Sequence, residues 1–458
     1  MPTIAIVGAG FSGVATAVNL ARLPWPDGVR IVLIERAPRF ARGVAYSTDH
    51  PLHLLNVPAG RMGALADDEG HFLRWLRRTD PAATGDAFIP RRRYGEYLEW
   101  LLADTIERTV SNVVIEPRAG DVVDVRVDGS RSMLTLHDGA TIEADRVVLA
   151  LGNLPPRDPI PTTHVDGDSR YVRDPWAPSA LAHIPKSSQP ILLVGSGLTM
   201  VDVVLALRDA GHTSGFIAVS RHGMLPHSHR DWPAKPPVVD PPRTLEDWDG
   251  SAAALVRMVR DASRAASRAG LDWRDVVNGL RPITTQLWHR MSLRERKRFA
   301  QHIRPFWETH RHRMSTKVAE EVNHLMARRE LTIVAGRVVD VTAEAESIAV
   351  GVKRRGATDV DRFDVGAIVN CTGPGDFGRS EDPLVSALRR GGSLDTDSFG
   401  LGIMTDHDGA LLGDSGRPSS VLFTLGSPRR LMDWESTAVP ELRVQADRLS
   451  RRLRESLH

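Results

Sequence analysis

The sequence predicts an α/β protein of two Rossmann-like units, the second carrying a helical insertion. Three observations predict it. Two apolar strands run straight into glycine-rich turns, "IAIVGAGFSG" at 4–13 and "ILLVGSGLTMVD" at 191–202. A β-meander pattern occurs twice, once downstream of each turn. Residues 251–330 are rich in Ala, Arg and Leu at helical spacing, with little strand signal.

The totals agree with this class. At 458 residues the chain is long enough for two or three domains with their own cores. A net charge of +2 gives no general reason to expect nucleic acid or a membrane as partner. The single cysteine, Cys371, excludes an internal disulfide, a CxxC redox pair and a Cys-based zinc site. No apolar run approaches the roughly 18 residues of a membrane span, and "MPTIAIVGAG" is too short and too soon glycine-rich for a signal peptide. A soluble, cytoplasmic protein is expected.

Residues 4–8 form a fully apolar run, as suits a central parallel strand buried on both faces. The glycines follow at once, then "VATAVNLARL" at helical spacing, a "PWPDG" loop and the strand "VRIVLIE" ending on Glu35. An acid about 20 residues past the glycines completes the context for a dinucleotide fingerprint. Gly8 allows the tight turn, Gly10 lets the backbone approach a pyrophosphate, and Gly13 lets the helix pack close to the strand. Glu35 is expected to accept hydrogen bonds from a ribose. Phe11 and Ser12 inside the turn, and Arg36 beside the acid, complete this candidate set. The pattern alone does not decide between FAD and NAD.

Residues 119–153 and 335–373 echo one another. Each has a "VVDV" strand, a second alternating strand, a "GAT" turn and a buried strand that ends in glycine. The simplest reading is two units, each with a meander and a last parallel strand.

The second turn offers Gly195, Gly197, Leu198 and Thr199, with Met200 where a third glycine would stand. That glycine serves helix–strand packing, so the methionine predicts a helix set slightly away and a looser but working site. Arg221 follows the strand "GFIAVS" with no acid beside it, which suits the 2′-phosphate of NADPH. Two nucleotide sites in one chain imply two cofactors that exchange electrons, usually a held flavin and a passing nicotinamide.

Residues 224–243 read as a Pro-rich loop. His227 and His229 within it, and His222 just before it, have no carboxylate or Cys at ligand spacing, so no metal is expected. "HRHR" at 310–313 reads first as a solvated helix face, and alternatively as an attractor for an anion. Cys371 reads as inert core. The C-terminus reads as the strand "SSVLFTLG", ending at Gly426, then a helix starting around Ala438. Its N-terminus would lie at the pyrimidine edge of a flavin and stabilise the anionic reduced form. The predicted boundaries are 1–155 for the first unit, 156–187 as linker, 188–376 for the second unit with its insertion at about 225–330, and 377–458 as a return to the first.

The chain resembles the bacterial FAD/NAD(P)-binding proteins related to the flavoprotein monooxygenases. The segments that carry the resemblance are "IVGAGFSG", "RGVAYST" with "LLNVPA", "VGSGLTMVD", "RPFWETHRHRM", "NCTGP" and "WESTAVPELR". It implies FAD in the first unit, NADH or NADPH in the second, and a reduced flavin that meets O2. Gly43, Val44 and Tyr46, with Asn56, Val57 and Pro58, would lie near the isoalloxazine ring. Trp434 to Arg443, including Thr437 and Ala438, would close that site. An Asp commonly follows the last strand's glycine and binds the flavin's chain; here Ser427 follows Gly426, which puts that contact in doubt.

The implied activity is monooxygenation of a small organic substrate through a flavin C4a-hydroperoxide. Urate, in purine catabolism, is the leading substrate. An amine, hydroxylated on nitrogen as in lysine and ornithine monooxygenases, is the alternative. An NAD(P)H-dependent flavin reductase serving a partner is the rival activity. The residues name no catalytic base.

Overall fold

The computed structural model describes residues 1–160, 165–230, 248–397, 399–400 and 402–457. Two mainly parallel sheets organise it. In the first, β1 (Thr3–Val7) lies between β2 (Val29–Glu35) and β7 (Arg146–Leu149), and β3 (Val113–Ala119) flanks β2. All these pairings are parallel. In the second, β9 (Ile191–Val194) lies between β10 (Phe216–Ser220) and β14 (Ala367–Asn370), and β11 (Leu331–Ala343) flanks β10. The orders β3-β2-β1-β7 and β11-β10-β9-β14 are the same arrangement made twice, as the sequence echo predicts. The central strands are apolar because both faces are covered, one mainly by helices and the other mainly by the unit's own β-meander; all four residues of β9 and of β14 are buried.

Each first strand feeds a helix, α1 (Phe11–Arg22) after β1 and α5 (Leu198–Asp209) after β9. Between the two turns the first unit adds three helices, α2 (Gly43–Tyr46), α3 (His71–Leu76) and α4 (Arg91–Arg108).

The meanders end differently. In the first unit β4 (Val122–Asp128), β5 (Arg131–Leu136) and β6 (Thr141–Ala144) make a separate three-stranded antiparallel sheet, because β3 stops before Gly120. In the second unit β11 runs unbroken through Gly336 for 13 residues and bends at a bulge between Val338 and Asp340. It therefore belongs both to the parallel sheet and to the meander completed by β12 (Ile348–Arg354) and β13 (Val360–Val365).

Two later segments complete the sheets. β8 (Tyr171–Val172), within the stretch read as a linker, adds an edge strand beside β14. β16 (Pro418–Thr424) returns to pair in parallel with β7, and β15 (Ala410–Leu412) pairs antiparallel with β16.

The helical insertion lies between β10 and β11. Its main helices are α6 (Ala252–Arg268), α7 (Trp273–Leu280), α8 (Thr284–Arg290), α9 (Leu293–Arg298), α10 (Arg304–Arg311) and α11 (Thr316–Ala327), with a π-helical turn at Phe299–Ile303. Most of the Pro-rich loop predicted at 224–243 lies outside the described residues. Helix α12 (Pro383–Arg390) packs under the first meander. The short α13 (Arg430–Asp433) and the long α14 (Val439–Glu455) end the chain, with α14 packed along α1.

Candidate functional site

The first turn is built by close backbone approach. Gly8 has φ of +99° and donates its N–H to Ile34 O at 2.8 Å. A Cβ at Gly13 would stand 1.9 Å from Gly8 O, so only glycine lets α1 come this near the strand. Helix α1 begins without a side-chain cap, which leaves its first amides open to an anion. Phe11 is buried. Glu35 accepts from Ala9 N–H at 2.8 Å on one oxygen and from Ala37 N–H at 2.9 Å on the other. The acid thus props the turn itself, and its remaining lone pairs are what a ribose could use. Arg36 points away and lies 3.4 Å from Asp382.

Two distant segments meet this turn. Gly43 lies against Gly10, close enough that a Cβ on Gly10 would sit 3.4 Å from Gly43 Cα. Gly426 lies against Ser12, where an added Cβ would be 3.0 Å from the Ser12 hydroxyl. Gly426 is fixed by its N–H, which donates to Gln445 Oε1 at 2.9 Å, and by its carbonyl, which accepts from Ser436. Val44 is exposed, and the Tyr46 ring packs at 4.7 Å on Tyr94, tilted by 58°. Three buried polar atoms beside the turn have no partner: Ser427 Oγ, Arg42 Nη1 and the Tyr94 hydroxyl. Open helix amides with orphaned donors around them fit a polyanionic nucleotide such as FAD. Ser427 occupies the position where an Asp was expected, and its free hydroxyl can make the same kind of contact.

The second turn has the same frame. Gly195 has φ of +118° and donates to Val219 O at 2.8 Å. Its neighbour across the turn is Cys371 O, as Ala150 O is for Gly8. The helix-leading residues Gly10 and Gly197 have nearly equal backbone angles, φ −71° and ψ −166° against φ −85° and ψ −167°. Met200 is fully buried in the core beneath α5. Because it has a Cβ, α5 cannot approach Gly195 as α1 approaches Gly8, and the thioether side chain fills the space. A Cβ on Gly197 would meet nothing within 4 Å. Leu198 and Thr199 open α5. Burial pushes the Cys371 thiol well up, as inert core requires.

Arg221 is exposed at the end of β10, next to His222, whose ring nitrogen lies 3.3 Å from Arg355 Nη1. Arg355 was not singled out from the sequence; the turn after β12 brings it there. The three histidines of the loop part company. His222 meets Arg355. The His227 ring lies 4.3 Å from that of His310, tilted by 59°. The His229 ring bonds to Asn56 O at 3.1 Å. Among the described residues no group of three or more His, Cys, Asp or Glu could hold a metal, and no helix is long and apolar enough to cross a membrane.

The two units meet between the turns. Asp202 on α5 is buried, lies 2.7 Å from Arg91 of α4, and accepts at its carbonyl from His53. Arg91 also donates to Leu54 O at 3.1 Å. Asn56, Val57 and Pro58 sit in this same loop, at the seam.

The "HRHR" segment departs from its expected solvated face. Arg311 and Arg313 are both buried, because α10 packs inward against the C-terminal return. Arg311 pairs with Glu435 at 3.1 Å, Arg281 with Glu441 at 2.8 Å, and Arg430 with Glu308 at 2.6 Å. Burial alone would raise Glu308, but Arg304 and Arg430 hold it at about 2. Burial lowers His312 to about 4 and His229 to about 3, helped by Arg311 and Arg313 respectively. The motifs at 304–314 and 434–443, far apart in sequence, therefore form one ionic network. Trp434, with φ of +55°, stacks at 4.6 Å on Trp288 of the insertion. Thr437 is exposed, and Ala438 leads into α14.

Residues 5–154 match a family model described as FAD-NAD(P)-binding (NAD_binding_9). No curated protein matches the chain. Among solved structures, it is similar over its whole length to the reduced form of ornithine hydroxylase (PvdA) from Pseudomonas aeruginosa. The identity is 16%, all of both chains is covered and the TM-score is 0.69. It is similar to L-lysine 6-monooxygenase from Pseudomonas syringae at 15% identity, again over all of both chains, with a TM-score of 0.66. A cadaverine monooxygenase (DfoA) from Erwinia amylovora aligns at 12% identity over 98% of this chain and 94% of its own, with a TM-score of 0.63. The fold is that of a two-dinucleotide flavoprotein. Its helical insertion belongs to the shared architecture.

Proposed function

We propose that the protein is an FAD- and NAD(P)H-dependent monooxygenase acting on a small organic substrate. One observation carries the reading: two glycine turns of the same backbone geometry, one per sheet, joined across a seam by Arg91 and Asp202. Gly8, Gly10, Ser12, Gly13 and Glu35 hold the adenosine half and pyrophosphate of FAD, with Ser427 on the flavin's chain. Gly195, Gly197, Leu198 and Thr199 receive the nicotinamide dinucleotide. Arg221 and Arg355 favour NADPH through its 2′-phosphate. When bound, the flavin supplies the oxygen-activating chemistry; the chain orients the two cofactors and keeps water from the reacting centre.

An amine is the better supported substrate class, because the similar enzymes are named for ornithine, lysine and cadaverine. The resemblance that suggested urate has no counterpart among them. A planar anion such as urate stays as the second reading on the buried arginines of the insertion alone.

The test is anaerobic. NADPH added to the purified holoprotein should bleach the flavin. Oxygen admitted with ornithine, lysine, cadaverine or urate should then yield an oxygenated product. Absence of bleaching overturns the reading. Bleaching followed by peroxide alone with every substrate would favour a reductase that serves a partner.

A further inference from the structure

The oxidisable rings are unevenly placed. Three of the four tyrosines, Tyr46, Tyr94 and Tyr97, pack together beside the first turn. Helix α4 carries Tyr94, Tyr97 and Trp100 at three-residue spacing, and α3 lays His71, Phe72 and Trp75 against them. The rings make a continuous path. Tyr46 belongs to α2, which starts at Gly43 against the turn, and its ring lies 4.7 Å from Tyr94. Phe11 of the turn reaches the same ring at 6.3 Å. Tyr94 lies 5.4 Å from Tyr97, and Tyr97 stacks at 6.2 Å on Trp100, which is half-buried. Trp75 flanks Tyr97 at 5.6 Å. Packing alone asks for bulk here, which Phe or Leu would supply. Every ring from Tyr46 to Trp100 is instead one that gives up an electron.

Tyr97 has what the other two tyrosines lack. Its hydroxyl accepts from Ala64 N–H at 3.2 Å and lies 2.7 Å from His71 Nδ1. The phenol proton has no other acceptor among the described residues, so it is donated to that nitrogen. Burial lowers His71 from its ordinary value, so the ring is neutral near neutral pH and Nδ1 is open to a proton. The Tyr94 hydroxyl has no partner to take its proton. The guanidinium groups of Arg78 and Arg93 lie over Trp100 and Trp75 at 4.6 and 5.3 Å, which disfavours positive charge on either indole. An oxidising equivalent on this path therefore comes to rest on Tyr97.

We propose that Tyr97 and His71 form a redox-active pair, the end of an aromatic conduit that supplies single electrons to the flavin of the first unit when light excites it. The proposal rests on FAD in that unit, as the monooxygenase reading has it, and not on oxygen chemistry or substrate. One electron passes from Tyr97, by way of Tyr94 and Tyr46, to the light-excited oxidised flavin. The Tyr97 O–H bond breaks, the proton moves to His71 Nδ1, and a neutral tyrosyl radical remains. A one-electron reductant in solution, such as ascorbate, returns an electron at the surface end of the path. The proton then goes back from His71 to the phenolic oxygen. In sum, ascorbate loses one electron and the flavin gains one. Short steps between neighbouring rings outrun a single long one, because tunnelling falls off exponentially with distance.

The test uses the FAD-loaded full chain under blue light, without oxygen and without NAD(P)H. With ascorbate present the flavin absorbance should bleach. Samples frozen during illumination without ascorbate should show a tyrosyl signal by electron paramagnetic resonance. Tyr97→Phe keeps the ring and its packing but has no O–H. It should bleach at least tenfold more slowly and give no tyrosyl signal. His71→Phe should lose the signal although Tyr97 is still present. Tyr171→Phe removes the remaining tyrosine, at the edge strand β8 of the second sheet, and should match the unsubstituted protein. Bleaching by NADPH in the dark should stay within twofold in all three variants. The proposal is overturned if light and ascorbate do not bleach the unsubstituted protein, if Tyr97→Phe bleaches at the same rate, or if the signal survives in Tyr97→Phe or His71→Phe. Photobleaching without any dark bleaching by NADPH would support the conduit and fault the monooxygenase reading alone.

Discussion

Single atoms decide most of what the two turns can do. Gly197→Val should fold and retain FAD, since the added carbons enter open space. That space is where a pyrophosphate would lie, so the KM for NAD(P)H should rise more than tenfold in steady-state assays. Gly13 is the opposite case. Ser427→Ala removes a hydroxyl that has no protein partner, so apoprotein stability should not change. FAD affinity should fall by about 1 kcal/mol, the usual worth of one neutral hydrogen bond, as measured by flavin release on dilution. Met200 carries a further lesson. Read from spacing, it was a departure from a glycine motif. In the fold it is a core side chain, and Met200→Ala should cost about 3 kcal/mol in denaturant unfolding.

Between elements, the clamp of Arg91 on Asp202 fixes how α4 of the first unit meets α5 of the second. Arg91→Met leaves Asp202 buried without its counter-charge, at a cost of about 3 kcal/mol. Adding Asp202→Asn should recover much of that, because the stranded charge is gone; paired unfolding curves measure both. The strands and turns behind this clamp were legible in the sequence, because their requirements are local. A glycine must stand at a positive φ, and a central strand must be apolar on both faces. The doubled meander was legible for the same reason. The clamp was not, since nothing near Asp202 in sequence marks it for a partner 111 residues away. The solvated reading of "HRHR" failed likewise. Four basic residues in a row look exposed until Glu435, on the returning chain, arrives to pair with one of them.

For the whole molecule, pH tests two partly buried histidines together. His229 and His312 are neutral in the fold, at about 3 and about 4, whereas unfolded histidines titrate near about 6.5. The unfolded chain therefore takes up more protons below about 6.5. Stability is complete above that value and is lost as pH falls towards about 4. The melting temperature should drop between pH 7 and pH 5, and His312→Asn should make the drop shallower. The sequence conveyed the two-unit plan and where each dinucleotide turn lies. Substrate recognition stayed hidden, because a pocket is lined by residues far apart in the chain and no local pattern marks them.

The return of β16 to β7 also sets an order of events during synthesis. Thr424 donates its hydroxyl to Leu149 O across 275 residues. The parallel strands β9, β10, β11 and β14 all lie between 191 and 370 and can associate as soon as they leave the ribosome. The first sheet must wait, with the edge of β7 open, until the end of the chain emerges. At about 5–20 residues per second, that edge stays bare for roughly tens of seconds. An unpaired apolar strand is a template for mispairing. The unit encoded first is thus the one completed last, and the nascent chain's main demand on chaperones should fall on residues 146–149.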